Sequence, residues 1–338
     1  MNELIKTQVR KLWECSFDDN PEFTELYFSK RYTEERNIAL MKENQVMAAM
    51  QLLPYPMTFY GSILQAWYIS GAATFPEHRN QGLMKELILK AFHRMQQNNI
   101  PISILIPAED WLFNYYEKSG FATVFYAGTR TIEKSDCIHT PSPAYKIIRQ
   151  TEYSTAIQHY IDKKLKEKQS AILHPKEDME VILADLALVD GRVITVERGG
   201  EIVGLSFVWM KEGVTYINEL MADSTEIEKE LYHNLFTGKI DKIHTIQAST
   251  LQEGNPLGML RIIDFKRVLD VYAGSNPEVS LQFNLTDPLL KENSGCYDIT
   301  KGTCSKGPIK AGIEYKTIPE LTKELFLPLS PHMSLMLN

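Results

Sequence analysis

The sequence predicts a mixed α/β fold, and three observations carry that expectation. Trp67, Tyr68 and Ile69 run into Ser70, Gly71, Ala72 and Ala73, an aromatic and apolar stretch of strand type that ends in residues small enough for another chain to approach the backbone. Downstream, Leu83, Met84, Leu87, Ile88, Phe92 and Met95 recur at 3.6-residue spacing and form one apolar face of a helix. An order of hairpin, strand and helix then appears twice, once in the first part of the chain and again between residues 193 and 236.

The elements follow in order. Residues 24–32 read as a helix, residues 37–41 and 46–53 as strands, and Pro54 and Pro56 are expected to break the second strand. After the strand at 67–73 and the helix from Leu83, residues 102–106 read as a buried strand, 107–109 as a loop and 111–116 as a short helix. The punctuated stretch Thr140, Pro141, Ser142, Pro143 closes a first block, residues 1–140. In a second block, 144–252, two β-branched runs flank Gly199 and Gly200 as a hairpin, followed by a strand at 214–221 and a helix at 225–236. A third block, 256–338, shows alternation of Leu281, Phe283 and Leu285 and an amphipathic helix at 318–327.

Between the strand and the helix of the first block, Arg79, Asn80, Gln81 and Gly82 open the helix. The first N–H groups of a helix lack internal acceptors and sit at the positive end of its dipole, so they attract phosphate, and glycine has no Cβ to block the approach. The corresponding place in the second block reads Met221, Ala222, Asp223, Ser224, Thr225, Glu226, acidic where phosphate would have to bind.

Composition bounds the partners. The chain has 338 residues, 44% hydrophobic and 10% aromatic, and a net charge of −7, a soluble globular profile with core enough for two or three domains. An acidic balance, with pI near 5.7, argues against nucleic acid as a partner. Met1 to Lys6 lacks the apolar core of a signal peptide, and no apolar run is long enough to span a bilayer, so a cytoplasmic location is expected. Cys15, Cys137, Cys296 and Cys304 form no C-x-x-C pair and have no histidine at zinc spacing, so no metal is expected. Gly302 to Gly307 has the glycine spacing of a phosphate loop but continues with Pro308 where the lysine belongs, and reads as a turn. The basic run at 163–168 contains Glu167 and reads as a solvated helix face.

With these motifs the chain resembles the GCN5-related N-acetyltransferase superfamily. Tyr116, Glu117, Lys118, Ser119, Gly120 and Phe121 match that family's Tyr-Glu-Lys-x-Gly-Phe segment in full, and the turn at 79–84 matches its Arg/Gln-x-x-Gly-x-Gly/Ala motif except at Met84. The resemblance implies a bulged strand at Gly71 to Thr74 whose backbone groups meet the pantetheine arm of acetyl-CoA, with Ala72, Ala73 and Thr74 at the cofactor. It implies further that Arg79, Asn80, Gln81, Gly82, Leu83, Met84 and Lys85 hold the pyrophosphate and that Tyr116 protonates the departing thiolate. Glu109 stands where the family often has an asparagine, and no contact is carried over to it. Two acetyltransferase folds, the second without a cofactor, followed by a domain similar to sterol carrier proteins, are the architecture of the enhanced intracellular survival acetyltransferases. The chain resembles that family over essentially its whole length.

That resemblance implies acetyl transfer to a primary amine of a small molecule or a protein lysine, a homo-oligomer, and a base supplied by the α-carboxylate of the last residue, Asn338. Trp13, Phe17, Asp18, Asp19 and Trp67 are candidate walls for the acceptor, and His78 stands beside the phosphate turn. Two other classes stay open: a CoA-responsive regulatory protein with vestigial transfer, and a lipid-binding carrier whose third block is the working part.

Overall fold

The computed structural model describes residues 2–137, 140–236, 240, 242–250 and 253–336. By contact the chain forms two compact units: Met1–Phe125 together with Pro256–Pro331, and Tyr126–Asn255 together with residues 332–336. The first unit is therefore discontinuous in sequence. Both units are mixed α/β.

The first unit opens with helices α1 (Asn2–Glu14) and α2 (Pro21–Lys30). Asn20 caps α2, its side-chain oxygen accepting the Phe23 N–H at 2.6 Å, and Pro21 occupies the first helical position, where a missing N–H costs nothing. Strands β1 (Asn37–Lys42), β2 (Gln45–Phe59) and β3 (Ser62–Thr74) form an antiparallel meander. The expected break at Pro54 and Pro56 does not occur, because β2 continues through both, with Pro54 opposite Trp67 and Pro56 opposite Gln65. Pairing with β1 stops at Gln51, and two residues at even spacing turn the same way, so both prolines withhold their missing N–H from a side with no β1 neighbour.

Helix α3 (Leu83–Gln97) follows, then β4 (Ile102–Leu105), α4 (Asp110–Glu117) and β5 (Ala122–Glu133), which begins in the first unit and continues into the second. The apolar face of α3 foreseen from the spacing is buried: Leu87, Ile88, Ala91, Phe92 and Met95 pack in one cluster with Met50, Leu52 and Ile69. Each large side chain among them contributes about 1.5–3 kcal/mol on burial.

In the second unit the sheet runs β5, β10, β9, β8, β7, β6, formed by β6 (Lys146–Gln150), β7 (Arg192–Arg198), β8 (Glu201–Lys211), β9 (Val214–Ala222) and β10 (Lys242–Ser249). Its helices are α5 (Thr155–Lys166), α6 (Lys176–Leu188) and α7 (Thr225–Leu235). Gly199 (φ +62°) and Gly200 (φ +87°) make the two-residue hairpin turn between β7 and β8, a geometry that favours glycine at both positions.

The chain returns to the first unit with β11 (Asn255–Ile262), antiparallel to β4, and α8 (Phe265–Ser275). A separate four-stranded sheet of order β14, β13, β12, β15 comprises β12 (Leu281–Leu285), β13 (Gly295–Thr300), β14 (Thr303–Gly307) and β15 (Tyr315–Lys316). Phe283 and Leu285 are buried as the alternation implies, whereas Leu281 at the strand start is exposed. Lys301 (φ +48°) and Gly302 (φ +76°) form the turn between β13 and β14. Helix α9 (Ile318–Phe326) begins in a capping box between Thr317 and Glu320. No helix among the described residues is long and apolar enough to cross a membrane.

Candidate active site

The site starts from a fault in the β2–β3 ladder. Ala49 pairs with Ala73 but Gln51 pairs with Ser70, so β3 carries one extra residue. Gly71 takes up the distortion at φ +58°, and a Cβ there would overlap the ring of Trp13, which packs directly on the bulge. Beneath it, the buried Tyr27 hydroxyl donates to Ser70 Oγ at 2.9 Å, and Gln51 Nε2 donates to Asn37 Oδ1 at 3.1 Å. Burial pushes the Tyr27 phenol up to about 12, so this support stays neutral. On its other side β3 pairs with β4 only from Ala66 to Tyr68. Residues 69–74 thus present backbone groups at an edge where the two parallel strands part.

The chain then turns into α3 through Asn80 (φ +61°) and Gly82 (φ +80°). Asparagine and glycine are the residues that enter this left-handed region most readily. The first intrahelical bond of α3 runs from the Glu86 N–H to the Gly82 carbonyl at 3.1 Å, and no side chain caps the helix start. The N–H groups of Leu83, Met84 and Lys85 are left for an outside acceptor, at the positive end of the dipole. A Cβ at Gly82 would meet nothing within 4 Å, so open space lies before this turn. Arg79 Nε donates to the Thr74 carbonyl at 3.1 Å and ties the turn to the end of β3.

Tyr116 lies in the last turn of α4, 7% exposed, its ring edge-on to Phe121 at 5.9 Å. Among the described residues its hydroxyl has no hydrogen-bond partner. Burial, with a smaller contribution from neighbouring Tyr115, pushes the phenol up to about 12.

One cavity of about 650 Å³ joins these parts. Ala72, Ala73 and Thr74 line it from β3; Arg79, Asn80, Gly82, Leu83 and Met84 line it from the turn; Tyr116 lines it from α4. The side chains of Gln81 and Lys85 are exposed and not part of its wall, Gln81 donating instead to the Glu77 carbonyl at 3.3 Å. Of the acceptor candidates, Trp13, Phe17 and Asp19 line the cavity, with the Trp13 indole N–H donating to Asp19 Oδ2 at 2.7 Å. Asp18 is not part of the wall, and neither is Trp67, which packs instead against the apolar cluster of α3. His78 lines the cavity. Asn338 lies outside the described residues.

Among the contributors that sequence reading missed, Trp111, Leu112 and Tyr115 of α4 face the same space, with the Trp111 indole N–H donating to Glu109 Oε2 at 2.6 Å. Leu112, four residues before Tyr116, was within reach of a helical-spacing argument; Trp111 and Tyr115 were not.

The matching turn of the second unit is built otherwise. Ser224 caps α7, its Oγ accepting the Ile227 N–H at 3.3 Å, and Asp223 accepts from the Tyr160 hydroxyl at 3.1 Å and from Lys164 Nζ at 3.5 Å. That helix start is satisfied by its own side chains and faced by a carboxylate.

Residues 3–124 match the family model of the acetyltransferase (GNAT) domain. This part of the chain is a GNAT domain, and the protein is accordingly an acetyltransferase. The whole chain shares its fold with solved structures: a GCN5-related N-acetyltransferase from Kribbella flavida (16% identity, TM-score 0.76, covering 100% of this chain and 97% of that one) and Eis1 from Mycobacterium abscessus (11%, 0.75, 96% and 88%). A GCN5-related N-acetyltransferase from Anabaena variabilis is similar at 17% identity and a TM-score of 0.73, covering 94% of this chain and 86% of that one. At these identities the likeness is one of fold. No curated protein sequence matches the chain significantly.

Proposed function

We propose that the protein moves an acetyl group from acetyl-CoA to a primary amine by direct attack on the thioester, with the Tyr116 hydroxyl as proton donor to the departing sulfur. The observation that carries this reading is the convergence, on one cavity, of the β3 bulge, the uncapped start of α3 and a Tyr116 hydroxyl that has no partner among the described residues. Acetyl-CoA supplies the activated acyl group. The open edge at Ala72, Ala73 and Thr74 suits a pantetheine arm with its amide groups, and the N–H groups after Gly82 suit a pyrophosphate. The same bulged backbone offers N–H donors to a developing oxyanion. An ammonium must lose its proton before it can attack, since its reference pKa is about 10.4. The capped, acid-faced start of α7 supports a stoichiometry of one acetyl-CoA per chain.

Gly82→Val is expected to weaken acetyl-CoA binding at least about tenfold, or ~1.4 kcal/mol, by filling the space before the turn. The chain should stay folded, because the strain of a side chain at φ +80° is on the order of 1–2 kcal/mol. Calorimetry showing unchanged affinity would remove the phosphate assignment. The base rests on the resemblance alone, which assigns it to the α-carboxylate of Asn338, of reference pKa about 3.5. Extending the chain a few residues past Asn338 is expected to abolish turnover while acetyl-CoA affinity holds, and a tagged chain at full activity would end that assignment.

A further inference from the structure

The turn that follows Tyr116 is held by a residue far along the chain. Tyr116 accepts at its carbonyl from the Ser119 N–H at 2.9 Å and from the Phe121 N–H at 3.3 Å, so residues 116–121 form one closed turn at the end of α4. The Ser119 carbonyl points out of that turn and accepts from Arg261 Nη1 at 2.6 Å, across 142 residues of sequence. Arg261 belongs to β11 and is 1% exposed; its guanidinium lies over the Phe92 ring of α3 at 4.6 Å. Nη2 donates to both carboxylate oxygens of Asp287, at 2.9 and 2.7 Å. Asp287 is fixed in turn by the Leu289 and Leu290 N–H groups at 3.0 Å and by Asn293 Nδ2 at 2.9 Å. Gly120, at φ +85°, completes the fit, because a Cβ there would overlap Arg261 Nη1.

We propose that Arg261, steadied by Asp287, is a positioning residue that sets the end of α4 and through it the place of the Tyr116 hydroxyl in the cavity. The glycine of the Tyr-Glu-Lys-Ser-Gly-Phe segment then has a local reason: it makes room for a guanidinium as well as a turn. A planar fork that reaches a carbonyl with one nitrogen and a carboxylate with the other cannot be replaced by an ammonium, which offers a single point. A small displacement of a proton donor is costly to the rate and leaves cofactor binding, carried by other elements, in place.

The proposal rests on the reading of Tyr116 as the acid, and its test separates the two. Arg261→Lys and Gly120→Ala are each made alone and together with Tyr116→Phe, with circular dichroism confirming the fold. Alone, each is expected to lower kcat about tenfold with KM for acetyl-CoA within about twofold. In the Tyr116→Phe background the same changes should leave kcat within about twofold, because the group they position is gone. Equal losses in both backgrounds would show a merely structural clip and overturn the proposal, as would a parental kcat in Arg261→Lys. Should Arg261→Lys not fold, Gly120→Ala decides, since it displaces Nη1 while keeping both charges. A Tyr116→Phe enzyme at the parental rate would remove the acid reading itself, and that single variant reports it independently.

Discussion

Tyr116→Phe is expected to bind acetyl-CoA as tightly as the parent and to turn over about 10²-fold more slowly, the scale for one positioned general acid. The ring stays, with its edge against Phe121, and the hydroxyl it loses has no partner among the described residues, so packing and stability should hold. Only a donation made as sulfur charge develops is removed, which lowers kcat and kcat/KM together. The pH dependence follows from the raised phenol. A thiol leaving group has a reference pKa of about 8.5, while Tyr116 is pushed to about 12, so it is protonated wherever the enzyme is assayed. Its active form is the protonated one and would be lost only as pH rises through about 12. The kcat profile between about pH 6 and 10 should therefore show no descending limb that vanishes in Tyr116→Phe. A variant at the parental rate would exclude the role.

Asp287→Ala is expected to destabilise the first unit by about 3–5 kcal/mol, because it leaves the Arg261 guanidinium buried without its counter-charge. Burial already lowers the proton affinity of that guanidinium, and Asp287 works against the loss. The Leu289 and Leu290 N–H groups would lose their acceptor in the same step. A shift on the order of 10 °C in thermal unfolding is the matching measurement. A midpoint within about 2 °C of the parent would mean that water or another group replaces the carboxylate at no cost.

Much of this was legible in the chain because the signals were local. The apolar face of α3, the Gly199–Gly200 hairpin and the turn at 79–82 each follow from residues within a few positions of one another. Pro54 and Pro56 misled for the converse reason: whether a proline breaks a strand depends on whether a neighbour needs its N–H, and β1 ends short of them. Gly71 was read as a small residue at a strand end, but its necessity comes from Trp13, more than fifty positions earlier. Arg261 gave no signal at all, since an arginine in an apolar run becomes meaningful only once Asp287 and the Ser119 carbonyl are beside it. The base role proposed for Asn338 came from resemblance alone, and Asn338 lies outside the described residues.

The discontinuity of the first unit bears on how the enzyme comes into being. During synthesis the segment bearing the bulge, the turn into α3 and Tyr116 leaves the ribosome long before Arg261 and Asp287 exist, and the second unit is made in between. Domains tend to fold as they emerge, and contacts between distant parts of the chain close late and slowly. Until then the α4 turn waits with a carbonyl and a glycine-sized gap facing nothing. The nascent chain therefore holds every described residue that lines the cavity of the first unit well before it holds the arginine and aspartate that clasp the end of α4.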